Sequence, residues 1–128
     1  MILMLENFKP IVLTKGAPAI SFSENGTSFN KTTVIRMEKA KYVVLLINKE
    51  KHQLAIKKCG ESDENATPFY RETKRNIIAV RWGNRELVKA IFTMMKWEKG
   101  KVYKADGEYY SSEEAIIFDL NQANESGV

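Results

Sequence analysis

The chain has one histidine, His52, and one cysteine, Cys59, the side chains that most often supply acid–base or nucleophilic catalysis. His52 follows a lysine-rich stretch whose positive charge disfavours protonation of the imidazole, and no serine or cysteine nearby is placed to be activated by it. Lys57 and Lys58 would lower the pKa of the Cys59 thiol, although a cysteine at a strand end is more often a small buried apolar residue. One cysteine and one histidine cannot complete a zinc site without carboxylate ligands. We therefore predict neither catalytic nor metal-binding residues.

The acidic side chains form two clusters that have the right chemistry for an acid–base pair. One contains Glu61, Asp63 and Glu64, and the other contains Glu113 and Glu114. Both fall in segments predicted to be turns or flexible, whereas an acid–base pair must be held rigidly and partly desolvated. The sequence also lacks the glycine-rich phosphate loops and the nucleophile and metal motifs of common enzymes. These observations favour a protein that is not an enzyme and needs no cofactor.

Composition places the chain among globular proteins. Its 128 residues suffice for one domain with one core, so we treat residues 1–128 as a single domain. No apolar run approaches the ~18 residues that span a membrane, and the apolar start ends at Glu6 without a signal-peptide pattern. We therefore predict a cytoplasmic protein that does not contact membranes. The net charge of +4 permits binding to nucleic acid or to an acidic protein without requiring either.

The first half of the chain alternates strand and turn patterns around one short helix. Asn25-Gly26 is the strongest hairpin signal, because both central residues of a type I′ turn need positive φ. Asn30 stands where a helix N-cap belongs. The continuous apolar run over residues 42–47 predicts a strand buried on both faces. The predicted elements are strands over 11–13, 19–23 and 27–29, a helix near 32–37, and strands over 42–47 and 54–59.

The second half predicts a strand over 77–82, a helix over 85–97 capped by Asn84, and a hairpin formed by residues 102–110 and 115–120. Gly100 would end the helix. Asp106-Gly107 could be a tight turn or a bulge. Residues 112–120 could instead form a short helix, since Ser111 and Glu114 have capping-box spacing. The last residues, 121–128, are expected to be a loose tail.

Both halves therefore follow the order strand, helix, β-hairpin. This similarity predicts an α+β fold in which a pseudo-symmetric pair of β-rich halves, residues 19–59 and 76–120, shares one core. A polar linker, residues 60–68, would join them. The predicted core residues are Ile20, Phe22, Val34, Met37, Val44, Leu46, Leu54, Ile56, Ile78, Val80, Leu87, Ile91, Met94, Ile116 and Phe118.

Cations on the outer faces of the two predicted helices are the most organised surface signal. Such residues bind phosphate backbones by releasing counterions, although a plain solvated helix face has the same pattern. Phe29 and Trp82 occupy matching positions before the two helix caps, where we expect them to fill the core rather than to stack on a ligand. The predicted nucleic-acid-binding residues are Lys31, Arg36, Lys39, Arg81, Arg85, Lys89 and Lys96.

Residues 19–58 resemble the AbrB-like, swapped-hairpin DNA-binding domains of bacterial regulators. The shared order is the strand with Ile20 and Phe22, the Asn25-Gly26 turn, a strand ending at Asn30, a short helix and a hairpin. Thr27 and Asn30 stand where the family typically has a basic residue and a proline. In that family two chains intertwine into one DNA-binding barrel. The resemblance implies that this chain, with both copies present, could form the whole barrel by itself.

These patterns predict a non-enzymatic nucleic-acid-binding regulator of a bacterium or mobile element, with double-stranded DNA as its partner. The alternative is a protein-binding accessory or inhibitor module with no nucleic-acid contact. Its exposed candidates are an unpaired sheet edge or the aromatics Trp82, Trp97, Tyr109 and Tyr110. In either case we expect a monomeric folding unit, with any oligomer built through outer surfaces.

Overall fold

The computed structural model describes residues 16–75 and 77–126, and the predicted strand over 11–13 lies outside them. The described chain is a small β-rich α+β domain with one antiparallel sheet curled into a half-barrel and two α-helices. None of its helices is long and apolar enough to cross a membrane. The elements are β1 (Ala19–Ser23), β2 (Gly26–Phe29), α1 (Lys31–Arg36), β3 (Tyr42–Asn48), β4 (Gln53–Cys59), β5 (Ala66–Pro68), β6 (Val80–Trp82), α2 (Arg85–Met95), β7 (Val102–Tyr110), β8 (Ala115–Asp119) and β9 (Asn124–Ser126).

The sheet order is β5-β3-β4-β8-β7-β1-β2-β6. Strand β9 pairs with the first half of β7, on the edge that β8 occupies along the second half. Strand β7 joins the two parts of the sheet, because its first half pairs with β1 and its second half pairs with β8 on the other edge. Gly107 lies where the pairing changes, and a Cβ there would come within 2.7 Å of the Ile116 and Phe118 side chains. Asp106-Gly107 is therefore neither a tight turn nor a bulge but the middle of the continuous strand β7, whose register has no extra residue against β1 or β8. Residues 115–119 form a strand, not the alternative helix.

The core lies on the concave face of the sheet, where one side chain in two points inward. Phe22, Ile56 and Phe118 are fully buried there. Val34 of α1 and Ile91 of α2 are also fully buried and belong to the same core cluster, so both helices pack against the core. Burying each such side chain stabilises the fold by about 1.5–3 kcal/mol relative to exposing it.

Asn30 caps α1 as predicted and also fastens the helix to the sheet. Its Oδ1 accepts hydrogen bonds from the backbone N–H groups of Thr33 and Ala19, both at 3.0 Å. Its Nδ2 donates to the carbonyl oxygen of Ala17 at 2.9 Å. One side chain thus sets the start of α1 and its position against β1.

Strand β3 is not buried on both faces, so two of the predicted core residues are wrong. Val43 is fully buried, but Leu46 is 46% exposed and Val44 is only half-buried. Val44 and Leu46 alternate with Val43 and therefore point to the convex face. No helix or second sheet of the described chain covers them. An apolar, β-branched run predicts a strand, but it does not show whether a second layer exists.

The turns and ends of several elements also differ from the prediction. Ser23 pairs with Gly26, so Glu24 and Asn25 form the turn. Gly26 itself belongs to β2, where its φ is 149° and a Cβ would clash with the carbonyl oxygen of Trp82. The predicted linker ends in β5, the strand over 77–82 shrinks to β6, α2 ends at Met95, and the predicted tail contains β9.

Candidate functional site

The first candidate site is an open groove between α2 and the β1–β2 turn, which we call the α2 groove. Its volume is about 840 Å³. Helix residues supply one wall, and Glu24 and Asn25 of the turn supply the other. The groove is lined by Glu24, Asn25, Arg85, Val88, Lys89, Phe92, Thr93, Lys96, Trp97 and Lys99.

Local sequence explains why α2 presents cations to this groove. Asn84 begins the helix by accepting hydrogen bonds from the N–H groups of Glu86 and Leu87 at 3.0 and 3.2 Å. Ile91 anchors the opposite side in the core. Lys96 ends the helix in the left-handed conformation, with φ of 56°. Cations placed at or just after this end are favoured by the negative pole of the helix dipole.

The floor of the groove belongs to a cluster of packed aromatic rings. Trp97 stacks on Tyr103 with ring centroids 4.3 Å apart and an interplanar angle of 9°. Phe92 contacts both rings edge-on, at 5.5 and 5.6 Å. Phe22 lies 5.8 Å from the Trp97 ring. Tyr103 already covers one face of the Trp97 indole. The indole therefore cannot insert between two bases without separating from Tyr103.

The groove cations are free to meet an anion. Among the described residues Glu24 is the one carboxylate that lines the groove, against four cationic side chains. The ion pairs among the described residues join Lys57 to Glu113 and Lys101 to Glu98 and Glu125, so none involves a groove cation. Hydrogen bonds from Glu98 and Glu125 raise the pKa of Lys101. Glu98 and Glu125 are therefore paired with Lys101 and do not neutralise the groove cations.

A second groove lies between β5 and β6, the first and last strands in the sheet order, and we call it the seam groove. Its volume is about 660 Å³. The indole N–H of Trp82 in β6 donates to the carbonyl oxygen of Pro68 in β5 at 3.0 Å. Phe29 and Phe69 contact the same indole edge-on, with ring centroids at 4.9 and 6.3 Å. The seam groove is lined by Lys39, Lys41, Tyr42, Pro68, Phe69, Tyr70, Arg71, Glu72, Arg81 and Trp82.

The predicted nucleic-acid-binding residues divide among several places. Arg85, Lys89 and Lys96 come together in the α2 groove, and Lys39 and Arg81 in the seam groove. The two others line neither groove. Arg36 lies over the Tyr109 ring, 5.7 Å from its centroid, and Lys31 is exposed at the start of α1.

Sequence reasoning missed Lys99, Lys41 and Arg71. Each of them lies outside a helix or strand, where periodicity gives no signal. The charged turn after α2 was the only local indication for Lys99. No local pattern identified the other two, because backbone bonds between distant segments bring them together. Phe69 N–H donates to the Lys41 carbonyl at 2.8 Å, and Tyr70 N–H, just before Arg71 in the chain, donates to the Ala40 carbonyl at 3.0 Å.

His52 and Cys59 line neither groove. His52 Nδ1 lies 3.1 Å from Asn121 Oδ1, and its carbonyl accepts from Leu120 N–H at 3.0 Å, which fastens the β3–β4 turn. Burial, followed by the charge of Asp63, raises the pKa of Cys59. The expected lowering by neighbouring lysines is therefore wrong, because desolvation and the nearby carboxylate act in the opposite direction.

Within residues 16–75 and 77–126 no group of three or more His, Cys, Asp or Glu side chains could hold a metal ion. Comparison with known proteins gives no family: no family model, no curated protein and no solved structure matches the chain.

Proposed function

We propose that this chain is a non-enzymatic nucleic-acid-binding protein that holds the phosphates of double-stranded DNA in the α2 groove. The observation that carries the proposal is the convergence of Arg85, Lys89, Lys96 and Lys99 on one groove, with none of them in an ion pair with a described residue. Unpaired, clustered cations repel one another in the folded chain, and a polyanion relieves that repulsion. Phosphate contacts of this kind release counterions and supply most of non-specific affinity.

The size of α2 suits a short stretch of duplex. Its 11 residues make a helix about 16 Å long at 1.5 Å per residue. That length matches about five base pairs at 3.4 Å each. Because four cationic side chains line the groove, the proposed binding depends on phosphate positions and tolerates many sequences.

The finer fold proposal is an internal duplication that makes one AbrB-like barrel from one chain. The order β1-β2-α1-β3-β4 is followed by β5-β6-α2-β7-β8. If the two sets are exchanged, every strand pair along the sheet finds a counterpart except one: β1 pairs with β2, but β5 and β6 are joined only by the Trp82–Pro68 hydrogen bond. Matched pairs of strands therefore support a pseudo-two-fold relation.

The two long hairpins add support at residue level. Asn48 pairs with Gln53, and Tyr110 pairs with Ala115, so both hairpins have a turn of the same length and the same register beside it. His52 occupies the same position in the first turn as Glu114 in the second. Both have positive φ, 55° and 49°, which non-glycine residues rarely adopt. Two turns with the same unusual conformation favour a common origin over coincidence.

The test of function is a gel-shift titration of the full chain with a 20-base-pair duplex at low salt. We expect a Lys89→Gln/Lys96→Gln variant to bind at least tenfold more weakly, because two phosphate contacts are lost. The matched control is Lys49→Gln/Lys51→Gln, which removes the same charge from the exposed β3–β4 turn. No binding by the unsubstituted chain, or equal loss in both variants, would overturn the proposal.

The alternative, a protein-binding module, is favoured by a different observation. Leu46, Ala55 and Ile117 are cross-strand neighbours on the convex face of β3, β4 and β8 and form an apolar row. Leu46 is 46% exposed, and apolar patches on a sheet face are common protein contacts. If this row drives association, light scattering should show a mass that rises with concentration, and Leu46→Lys should abolish the rise. A constant monomer mass would exclude a second copy of this chain as the partner of the row.

A further inference from the structure

We propose that the seam groove is a separate binding site for a nucleoside phosphate. This inference does not depend on the DNA-binding proposal, because the two grooves share no lining residue. Its basis is the coincidence of three features at the seam: an opening in the sheet, a cluster of cations and a wall of fixed aromatic rings.

The opening exists because the sheet lacks one ladder. Among the described strands β5 pairs only with β3, and β6 pairs only with β2, so no described strand pairs with their outer edges. The Trp82 indole bridges this space to the Pro68 carbonyl at 3.0 Å. A cavity of about 660 Å³ results, within the range typical of small-molecule sites.

Four cations reach this cavity from three segments of the chain. Lys39 and Lys41 follow α1, Arg71 follows β5, and Arg81 lies in β6. Glu72 is the one carboxylate among the lining residues, and none of the four cations takes part in an ion pair with a described residue. Arginine binds phosphate with two parallel hydrogen bonds, so two arginines and two lysines suit a phosphate group.

The aromatic side chains favour a ligand that carries a planar base beside its phosphate. Tyr42, Tyr70 and Trp82 line the groove, and the hydrogen bond to Pro68 with the edge-on contact to Phe29 fixes Trp82 before any ligand arrives. A competing explanation for the cations is that they prevent the sheet edge from pairing with another chain. That role does not explain the aromatic side chains in the cavity, whereas a base with an attached phosphate would contact both the rings and the cations.

The two tryptophans of the chain allow a direct test, because one lines each groove. In a Trp97→Phe variant the remaining indole reports on the seam groove. We expect AMP to change its fluorescence in a saturable way, pyrophosphate to bind at least tenfold more weakly, and adenosine to bind more weakly still. No change up to about 10 mM AMP overturns the proposal. Equal binding of pyrophosphate and AMP, or of adenosine and AMP, also overturns it, since the rings or the cations would then be dispensable.

Calorimetric titration of the unsubstituted chain with AMP provides a second route that needs no tryptophan replacement. Arg81→Gln should weaken AMP binding roughly tenfold, the effect of losing one charge-assisted contact. Lys51→Gln, which removes the same charge outside both grooves, should leave AMP binding unchanged. An Arg81→Gln chain that binds AMP like the unsubstituted protein would contradict the assigned site. Duplex binding at the α2 groove should be the same in both variants, which separates failure of this site from failure of DNA binding.

Discussion

Helices α1 and α2 each follow a strand and begin at a capping asparagine, but they differ in what they present to solvent. α1 has 6 residues, and Thr32, Thr33 and Val34 among them are buried. α2 has 11 residues, of which only Val88 and Ile91 are buried. The shorter helix is a core element held at its start by Asn30. The longer one keeps a comparable anchor and adds exposed turns, and those turns carry the groove cations. The difference suggests that the additional length of α2 serves binding rather than stability.

The largest expected effect tests whether both helices are equally anchored in the core. Met37→Ala, just after α1, and Ile91→Ala in α2 should each lower the free energy of unfolding by about 2–5 kcal/mol, because each removes a side chain that is almost fully buried. Urea denaturation measures both. If Ile91→Ala cost less than about 1 kcal/mol while Met37→Ala had its full effect, α2 would not be docked as described, and the comparison would fail.

The second effect concerns the two helix caps. Asn30 bonds to Thr33, Ala19 and Ala17, whereas Asn84 accepts only from the first turn of its own helix. We expect Asn30→Ala to cost about 2 kcal/mol and Asn84→Ala about 1 kcal/mol, since substitution of a cap typically costs 0.5–2 kcal/mol. Thermal unfolding of the two variants checks the order. Equal costs would show that the bonds from Asn30 to β1 add nothing.

The smallest effect separates packed from exposed cations. Arg36→Gln should lower stability by about 0.5–1 kcal/mol, because it removes the cation–π contact with Tyr109. Lys89→Gln should change stability by less than about 0.5 kcal/mol, as expected for an exposed side chain without a partner among the described residues. Denaturation midpoints at one protein concentration distinguish the two. A larger loss in Lys89→Gln would mean that this cation serves the fold rather than a ligand.

Much of the fold follows from local pattern. Alternation and helical period identified β1, β4, β7, β8 and both helices, and they placed Arg85, Lys89 and Lys96 on one face of α2. Sequence patterns extend over a few neighbouring residues, so they predict the type of one element and which of its faces is apolar. They could not show that β3 has an uncovered face, since that depends on the absence of a second layer. Nor could they find β5, whose three residues include Pro68 and pair only because β3 lies beside them.

The two candidate sites also differ in how much of each could be predicted from the sequence. The α2 groove was partly predictable because one helix supplies most of its cations. The seam groove was not, because Lys41, Arg71 and Arg81 come from separate segments that meet through long-range pairing. The sequence analysis named Lys39, Arg81, Arg85 and Lys89 together as nucleic-acid-binding residues, and the structure divides them between the two grooves.

The salt dependence of duplex binding tests the central claim most directly. Fluorescence anisotropy of a labelled duplex at several salt concentrations gives the slope of log K against log salt. Four phosphate contacts predict a slope of about −3.6, and Lys89→Gln/Lys96→Gln should bring it to about −1.8. Lys49→Gln/Lys51→Gln should keep the slope of the unsubstituted chain. No binding at low salt, binding that does not change with salt, or an unchanged slope in the α2 variant would contradict the α2 groove as a DNA-binding site.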